Sequence, residues 1–139
     1  MVRSLFSIDN IIDVTTDLLK RPHVEHFLTE IYKNYDICFW SQTSWRWLEA
    51  KLTEMSILTS PNYKVSFVLD KTVMFEVVSK VKGGKLKRHH VKPLEYIWQK
   101  HASLWSGKNT VHIDDLSRNF AMNPNNGYVY SFTHQIESK

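Results

Sequence analysis

The chain has 139 residues and a mass of 16.4 kDa, and 42% of its residues are hydrophobic while 23% are charged. This composition is typical of a globular protein, and we expect residues 1–139 to form a single domain that needs no disulfide or structural metal. Cys38 is the only cysteine, which excludes a disulfide framework and a cysteine-rich zinc module. No apolar run approaches the ~20 residues of a membrane helix and no signal peptide follows Met1, so a soluble intracellular protein is expected.

The positive charge of the chain is concentrated in one segment. The formal net charge is +4, and five Lys or Arg residues fall within residues 80–88, around Gly83 and Gly84. This pattern is typical of a solvated hairpin tip, and it also fits a loop that faces an anionic substrate or partner. Nucleic-acid binding is disfavoured, because no aromatic residues alternate with the cations and no nucleic-acid-binding motif is present.

The spacing of apolar residues predicts three helices. One runs over 22–33, and a second runs over 44–55 with Ser44 as its N-cap. A third begins at Pro93 and is stopped by Gly107. Their apolar stripes are Val24, Phe27, Leu28 and Ile31; Trp45, Leu48, Leu52 and Met55; and Leu94, Ile97, Trp98, His101 and Trp105.

Short apolar segments between these helices predict strands. The run 35–40 suits a strand that is covered on both faces, and the alternation within 63–69 predicts a second strand. A hairpin around the glycine pair is expected to have its arms at 73–78 and 86–91. The remaining predictions are a strand at 109–113, a turn at 123–127 and an edge strand at 128–132.

Strands that alternate with helices predict an α/β sandwich built on a mostly parallel sheet. In such sheets ligands bind beyond the carboxyl ends of the strands. Polar residues follow two predicted strands at that edge, with Ser41 after Trp40, and Asp114 and Asp115 after Ile113. The sequence therefore predicts a binding site where these two strands end.

Four residues are candidates for chemistry at this edge. Asp114 and Asp115 repel each other unless a cation or proton separates them, so they suit Mg²⁺, although one of them could instead cap a turn. Ser41 could offer its hydroxyl to a phosphate at the start of a helix, or serve as a turn residue. Lys92 lies at a strand-to-helix junction, where its ammonium group would neutralise a phosphate or face solvent.

Other chemistries are disfavoured. Cys38 lies inside an apolar run with no Cys-x5-Arg pattern after it, which indicates a buried small side chain and not a nucleophile. The seven histidines form no HExxH or zinc-spaced motif. No P-loop or GxGxxG motif is present, so ATP or NAD is not expected as a motif-bound cofactor.

Four stretches of the chain resemble the FCP/SCP-type phosphatases of the haloacid dehalogenase superfamily, and most closely the branch that carries an additional ubiquitin-like domain. The resemblance implies a haloacid-dehalogenase-like Rossmannoid three-layer sandwich with a mostly parallel central sheet and a small β-hairpin insertion. The stretches are LLKRPHVEHFLTEIYKNYDICFWSQTSWRWLEAKL at 18–52, PNYKVSFVLD at 61–70, VKPLEYIW at 91–98 and NTVHIDDLSRNFAMNPNNG at 109–127.

The resemblance also implies roles for the candidate residues. Ser41 matches the hydroxyl that hydrogen-bonds the phosphoryl group, and Lys92 matches the lysine that pairs with its oxygens and with the nucleophilic aspartate. Asp114 and Asp115 match the acidic motif that serves Mg²⁺, with Asp115 as the direct ligand. In this family an aspartate of a DxDxT motif attacks phosphorus, and the second aspartate acts as general acid and base.

No DxDxT motif occurs in this chain. The best fit puts Asp9 in the nucleophile position, but Ile11 then stands where the general acid belongs and Asp13 where the threonine belongs. Three interpretations stay open at this point: the nucleophile is Asp9, it lies upstream of Met1, or it is absent. Without its carboxylate we expect Mg²⁺ to bind weakly.

Two functions follow from the resemblance. The first is a Mg²⁺-dependent protein serine/threonine phosphatase that acts on the phosphorylated CTD of RNA polymerase II or on a proteasome-associated protein, in the nucleus or otherwise in the cytoplasm. The alternative is a catalytically inactive phosphatase-like module that binds a phosphopeptide or a protein partner. The missing motif weighs against activity, because losing a covalent nucleophile costs far more rate than losing one hydrogen bond.

Overall fold

The computed structural model describes residues 2–7 and 20–129. Five strands form one sheet, in which every neighbouring pair is parallel. These strands are β1 (Val2–Ser7), β2 (Tyr35–Trp40), β3 (Val65–Leu69), β6 (Thr110–Asp114) and β7 (Gly127–Val129), in the spatial order β3-β2-β1-β6-β7. The other elements are helices α1 (Val24–Tyr32), α2 (Trp45–Glu54) and α3 (Glu95–Lys100), and the antiparallel strands β4 (Phe75–Lys80) and β5 (Leu86–Val91).

The mixed α/β architecture with a parallel sheet is confirmed. The central strand is β1, which pairs with β2 on one side and with β6 on the other. Leu5 and Phe6, which precede Asp9 in the sequence, therefore lie in the middle of the sheet. Asp9, Ile11 and Asp13 themselves lie outside the described residues, as do residues 130–132 of the expected edge strand.

The alternation of side chains along β2 shows that both faces of the sheet are covered. Ile37 and Phe39 belong to one apolar cluster, while Cys38 and Trp40, which point the other way, belong to another. All four side chains are fully buried. The first cluster includes Val24 and Leu28 of α1 and Leu48 and Leu52 of α2, and the second includes Leu94, Ile97 and Trp105.

Three sequence expectations need correction. Strict alternation in β3 is broken because Ile37 pairs with Val65 but Cys38 pairs with Phe67, so Ser66 is an extra residue that switches faces. Trp45 and Phe27 are each 44% exposed and do not join the buried stripes of α2 and α1. The third helix ends at Lys100, because the next residue leaves the helical conformation with φ −128°.

The hairpin of β4 and β5 lies where the glycine pair predicts it. Gly83 and Gly84 have φ angles of 92° and 77°, a left-handed conformation that glycine adopts without steric cost. The backbone N–H of Val81 donates to the carbonyl of Lys85 and closes the loop. Within the described part of the chain, no helix is long and apolar enough to span a bilayer.

Candidate active site

The candidate residues meet at the carboxyl edge of the sheet. Ser7 of β1 is level with Trp40, which precedes Ser41, and Phe6 is level with Ile113, which precedes Asp114. The ends of β2 and β6 are therefore level with each other on either side of β1. At an interstrand spacing of ~4.8 Å, the two strand ends are ~10 Å apart. This separation places the residues after both strands within reach of one small ligand.

Lys92 and Asp114 form a buried ion pair at this edge. The Nζ atom of Lys92 donates to Oδ2 of Asp114 at 2.7 Å, and the two side chains are 2% and 0% exposed. Asn119 donates its Nδ2 to the same oxygen at 2.9 Å, and the backbone N–H of Leu116 donates to Oδ1 at 3.0 Å. The lysine is thus fixed by a carboxylate whose two oxygens are both held by protein groups.

These contacts determine the charge of Asp114. Burial disfavours its ionised form, but the contacts from His112, the charge and hydrogen bond of Lys92 and the N–H of Leu116 outweigh burial and hold the pKa well below its ordinary value. Asp114 is therefore an anion at neutral pH. Its negative charge compensates the buried ammonium group of Lys92.

His112 lies beneath this pair and is fully buried. Its Nε2 atom is 3.4 Å from Oδ2 of Asp114, yet neither ring nitrogen has a hydrogen-bond partner within the described residues. Burial and the charge of Lys92 lower the pKa of His112, although the contact with Asp114 opposes that change. The ring also meets Phe120 edge-on at 4.7 Å, so His112 is neutral at pH 7 and packs as an aromatic side chain.

Asn123 holds the backbone on both sides of Pro93. Its Nδ2 donates to the carbonyl of Lys92 at 2.6 Å, and its Oδ1 accepts from the backbone N–H of Leu94 at 2.8 Å. Asn123 is only 3% exposed, so water does not replace these bonds. The segment that carries Lys92 is therefore anchored through its side chain by Asp114 and through its backbone by Asn123.

Ser41 is 1% exposed and belongs to a tight turn. Its Oγ atom accepts from the backbone N–H of Thr43 at 3.2 Å and is 2.7 Å from the hydroxyl of Thr43. The backbone N–H of Ser41 donates to the carbonyl of Leu69 at 2.9 Å. Asp70, after β3, accepts from the backbone N–H of Trp45 at 3.2 Å, so a carboxylate already caps the start of α2.

The two adjacent aspartates have different environments. Asp114 directs both carboxylate oxygens to protein donors, whereas Asp115 is exposed. Mg²⁺ prefers carboxylate oxygens and keeps several waters, so the chemistry of Asp115 fits this ion and that of Asp114, as arranged here, does not. Among residues 20–129, no cluster of three or more His, Cys, Asp or Glu side chains could hold a metal ion.

Sequence reasoning did not identify Asn119, Asn123 or His112 as part of the site. Asn123 was expected only as a turn residue, and Asn119 follows Asp114 by five positions with no helical or strand periodicity to connect them. Their identification requires the short 3₁₀ turn at Ser117–Phe120 and the packing of β5 against it. The signal in the sequence is that both asparagines lie in the stretch 109–127, which carries the family resemblance.

Comparisons with known proteins identify the family of the chain. The profile of the family described as NLI interacting factor-like phosphatase matches residues 4–136. Ubiquitin-like domain-containing CTD phosphatase 1 of Homo sapiens and of Bos taurus is 45% identical over 109 residues, which cover 78% of this chain and 33% of that protein. The Danio rerio protein is 43% identical over the same share of each chain.

The chain thus spans about a third of the length of the curated relatives it matches. The family match, in contrast, covers nearly all of the chain, including residues 4–7 of β1 and the stretches that carry Ser41, Lys92 and Asp114. This chain belongs to the NLI interacting factor-like phosphatases, the haloacid-dehalogenase-type family that those stretches predict.

Proposed function

We propose that this chain recognises a phosphorylated serine or threonine side chain of a protein, with the phosphate held at the carboxyl edge of β2, β1 and β6. The observation that carries the proposal is the fixed position of Lys92, which is anchored by Asp114 and Asn123. A lysine that is already fixed loses little side-chain freedom when a ligand binds. Family membership supports a phosphatase-like function for the site.

Ser41 supplies the second part of a phosphate site. Its hydroxyl lies in the turn between β2 and α2, where the backbone N–H groups at a helix N-terminus favour an anion. Asp70 occupies part of that N-terminus, so the phosphate would lie on the side of the turn nearer Lys92. The hydroxyl and the ammonium group would then contact different oxygens of the same phosphate.

We further propose the roles that the family resemblance implies. Asp115 would hold Mg²⁺, which supplies neutralising charge when it is bound, and the family is generally Mg²⁺-dependent. A phosphatase of this type also needs an aspartate that accepts the phosphoryl group and an acid that protonates the leaving hydroxyl. Ser41 and Lys92 would contact the phosphate while Asp114 holds Lys92 in place, but the family mechanism gives none of the three the role of nucleophile.

The proposed substrate class comes from the names of the relatives. The relatives are named CTD phosphatases, and we propose a phosphorylated protein of that class, either the CTD of RNA polymerase II or a proteasome-associated protein. A nuclear location would fit such a substrate. These assignments come from the relatives, of which this chain matches about a third.

Binding without turnover is the second candidate function, and the absence of a DxDxT motif favours it. The two candidates share the phosphate site and differ only in whether an aspartate reaches phosphorus. Asp9 is the residue to test, because it follows the central strand of the sheet. Even if Asp9 attacks, Ile11 cannot serve as the general acid, a role that is usually worth ~10²–10⁴-fold in rate.

Phosphate recognition is tested by titrating the chain with a phosphoserine peptide and with the same peptide unphosphorylated. We expect the phosphorylated form to bind at least tenfold more tightly, and the preference to disappear in the Lys92→Met/Asp114→Asn double variant, which removes both buried charges together. Equal binding of the two peptides by the wild-type chain would refute the proposal. Circular dichroism of each variant verifies that it is folded.

Turnover is tested with an activated aryl phosphate in the presence of Mg²⁺, because its leaving group needs little protonation. We expect the wild-type chain to hydrolyse it no faster than Lys92→Ala. Hydrolysis that disappears in both Asp9→Asn and Lys92→Ala would show an active phosphatase with Asp9 as nucleophile. An equal background rate in all three proteins would support binding without turnover.

A further inference from the structure

The hairpin of β4 and β5 carries the entire charge excess of the chain. Between Phe75 and Val91 there are five Lys or Arg residues and one acid, Glu76, so the formal charge of the hairpin equals the +4 of the whole chain. Every residue from 80 to 88 is exposed. Because the rest of the chain is balanced in charge, an anionic partner would be attracted to the hairpin.

The antiparallel register divides the hairpin into two faces. On one face Val91 is fully buried, and Val77 and His89 are half-buried, so this face is turned toward the body of the protein. The opposite face is exposed at all of its paired positions, and we call it the outer face. The outer face consists of Glu76, Val78, Lys80, Leu86, Arg88 and His90.

The outer face combines an apolar spot with flanking cations. Leu86 is 69% exposed and Val78 is 56% exposed. Lys80 is directly opposite Leu86 and Arg88 is directly opposite Val78, so the two apolar side chains are diagonal neighbours with a cation beside each. Exposing two adjacent apolar side chains to water is unfavourable. A partner that covers them would therefore be stabilised by their burial.

The flanking cations are available to a partner. Arg88 approaches Glu76 at 3.4 Å, but the side chains are 77% and 50% exposed, and an ion pair in that setting contributes little. The remaining cations of the hairpin lie at or near the loop, where solvent screens their mutual repulsion. The outer face therefore offers positive charge that a binding partner can use.

We propose that the outer face of the hairpin binds an acidic, extended segment of the phosphorylated protein substrate, with one apolar side chain over Val78 and Leu86. A protein segment is favoured over nucleic acid because the outer face has no Phe, Tyr or Trp on which bases could stack and contains Glu76, which repels phosphates. It is favoured over a membrane surface because the apolar spot lies along the face and is not confined to the tip.

The hairpin is connected directly to the phosphate site. The position that we assign to the acidic substrate segment rests on the proposed function, because it assumes a phosphate at Lys92. Strand β5 ends at Val91 and the next residue is Lys92. At a rise of ~3.4 Å per residue, Arg88 lies ~14 Å and Leu86 ~20 Å from Lys92 along the strand. An extended substrate with its phosphate at Lys92 would place residues about four to six positions away over the outer face.

The test uses the 139-residue chain and three fluorescent peptides. The first has four acidic residues around one leucine and no phosphate. The second has the same cluster five residues from a phosphoserine, and the third has the phosphoserine with the cluster changed to Ser and Asn. Each is titrated with wild-type protein, with Lys80→Glu/Arg88→Glu, with Val78→Ser/Leu86→Ser, and with the control Lys64→Glu/Lys108→Glu, which changes the net charge equally at exposed sites elsewhere.

We expect the unphosphorylated acidic peptide to lose at least tenfold in affinity with Lys80→Glu/Arg88→Glu and about threefold with Val78→Ser/Leu86→Ser, with less than twofold change in the control. The second peptide should bind more tightly than the first and the third. If phosphate adds nothing but the hairpin variants still weaken the acidic peptide, the proposed function has failed while this interface stands.

Two results would overturn the interface. One is an acidic peptide that does not bind the wild-type chain or that binds Lys80→Glu/Arg88→Glu equally well. The other is tighter binding of a single-stranded RNA, or of a vesicle containing phosphatidylserine, than of the acidic peptide, with that binding lost in the same variant. That outcome would assign the hairpin to nucleic acid or to membrane and not to a protein substrate.

Discussion

The carboxyl edge of the sheet and the β4–β5 hairpin are both charged, but they use charge in opposite ways. At the edge, Lys92 and Asp114 are 2% and 0% exposed and bond to each other at 2.7 Å. In the hairpin, the cations are exposed, and the single ion pair given by Arg88 lies largely in water. One region buries an ion pair that has no net charge, and the other exposes an excess of positive charge.

This difference indicates which substitutions of charged residues each region can accept without loss of stability. A buried charge is stable only while its partner is present, because the protein interior cannot solvate it. An exposed charge interacts weakly with its neighbours and is screened by salt, so it can change without harm to the fold. Substitutions at the edge should therefore destabilise the fold, whereas charges of the hairpin can be changed with little effect on stability.

The largest expected effect is at the buried pair. Lys92→Ala leaves the carboxylate of Asp114 buried without its cation, and we expect a loss of about 3–5 kcal/mol in the free energy of unfolding. Urea denaturation followed by circular dichroism measures this loss. The effect is large enough that activity comparisons with Lys92→Ala must include a check of folding.

The double variant Lys92→Met/Asp114→Asn is the matched control for that prediction. Because neither partner then keeps a charge, most of the loss should be recovered, and the double variant should be more stable than Lys92→Ala. A double variant as unstable as the single one would show that packing, and not the unpaired charge, determines the cost.

The next largest effect is expected at Asn123. Asn123→Ala removes both hydrogen bonds to the backbone around Pro93 and leaves a buried carbonyl and a buried N–H without partners. We expect a loss of about 2–4 kcal/mol in the free energy of unfolding, measured by urea denaturation. Asn125→Ala, at an exposed position of the same turn, should change it by less than ~0.5 kcal/mol.

Acid should destabilise the chain through the buried groups at the edge of the sheet. The pKa of His112 in the folded chain lies below its ordinary value of 6.5, so the unfolded chain binds a proton more readily and stability falls as the pH drops below that value. Asp114, whose pKa lies below its ordinary value of 3.8, adds a further loss only at lower pH. Above pH 6.5 both contributions to stability are complete.

Urea midpoints measured between pH 7.5 and 5 provide the test, with an expected slope of up to ~1.4 kcal/mol per pH unit from His112. His112→Phe keeps an aromatic ring at this buried position and removes the titrating group, so its slope should be smaller. An unchanged slope in His112→Phe would place the acid sensitivity elsewhere in the chain.

The sequence alone predicts most of the fold. Strand β2 begins and ends where its apolar run predicts, and the hairpin arms agree within two residues. The errors have local causes. The extra residue Ser66 in β3 cannot be seen in an alternating pattern, and the third helix stops short because the tertiary structure, not the apolar spacing, decides where its last turns unwind.

The candidate site is only partly predictable. Strand ends locate Ser41 and Asp114 at one edge, because parallel strands share their direction. What the sequence does not show is which of two adjacent aspartates is buried, since this depends on the side chains of Lys92 and Asn119 meeting Asp114 across the fold. Catalytic and metal-binding roles for these residues stay predictions.

The smallest effect is expected in the hairpin and completes the comparison. Lys80→Glu/Arg88→Glu changes two exposed side chains of the outer face, so we expect the free energy of unfolding at pH 7 to change by less than ~0.5 kcal/mol. The same variant should leave the pH dependence of stability unchanged, because it touches neither His112 nor Asp114. Urea denaturation at pH 7 and at pH 5 measures both. If this variant destabilises the chain by more than ~1 kcal/mol, its loss of acidic peptide would reflect unfolding, and the contrast between a fragile edge and a tolerant hairpin would fail.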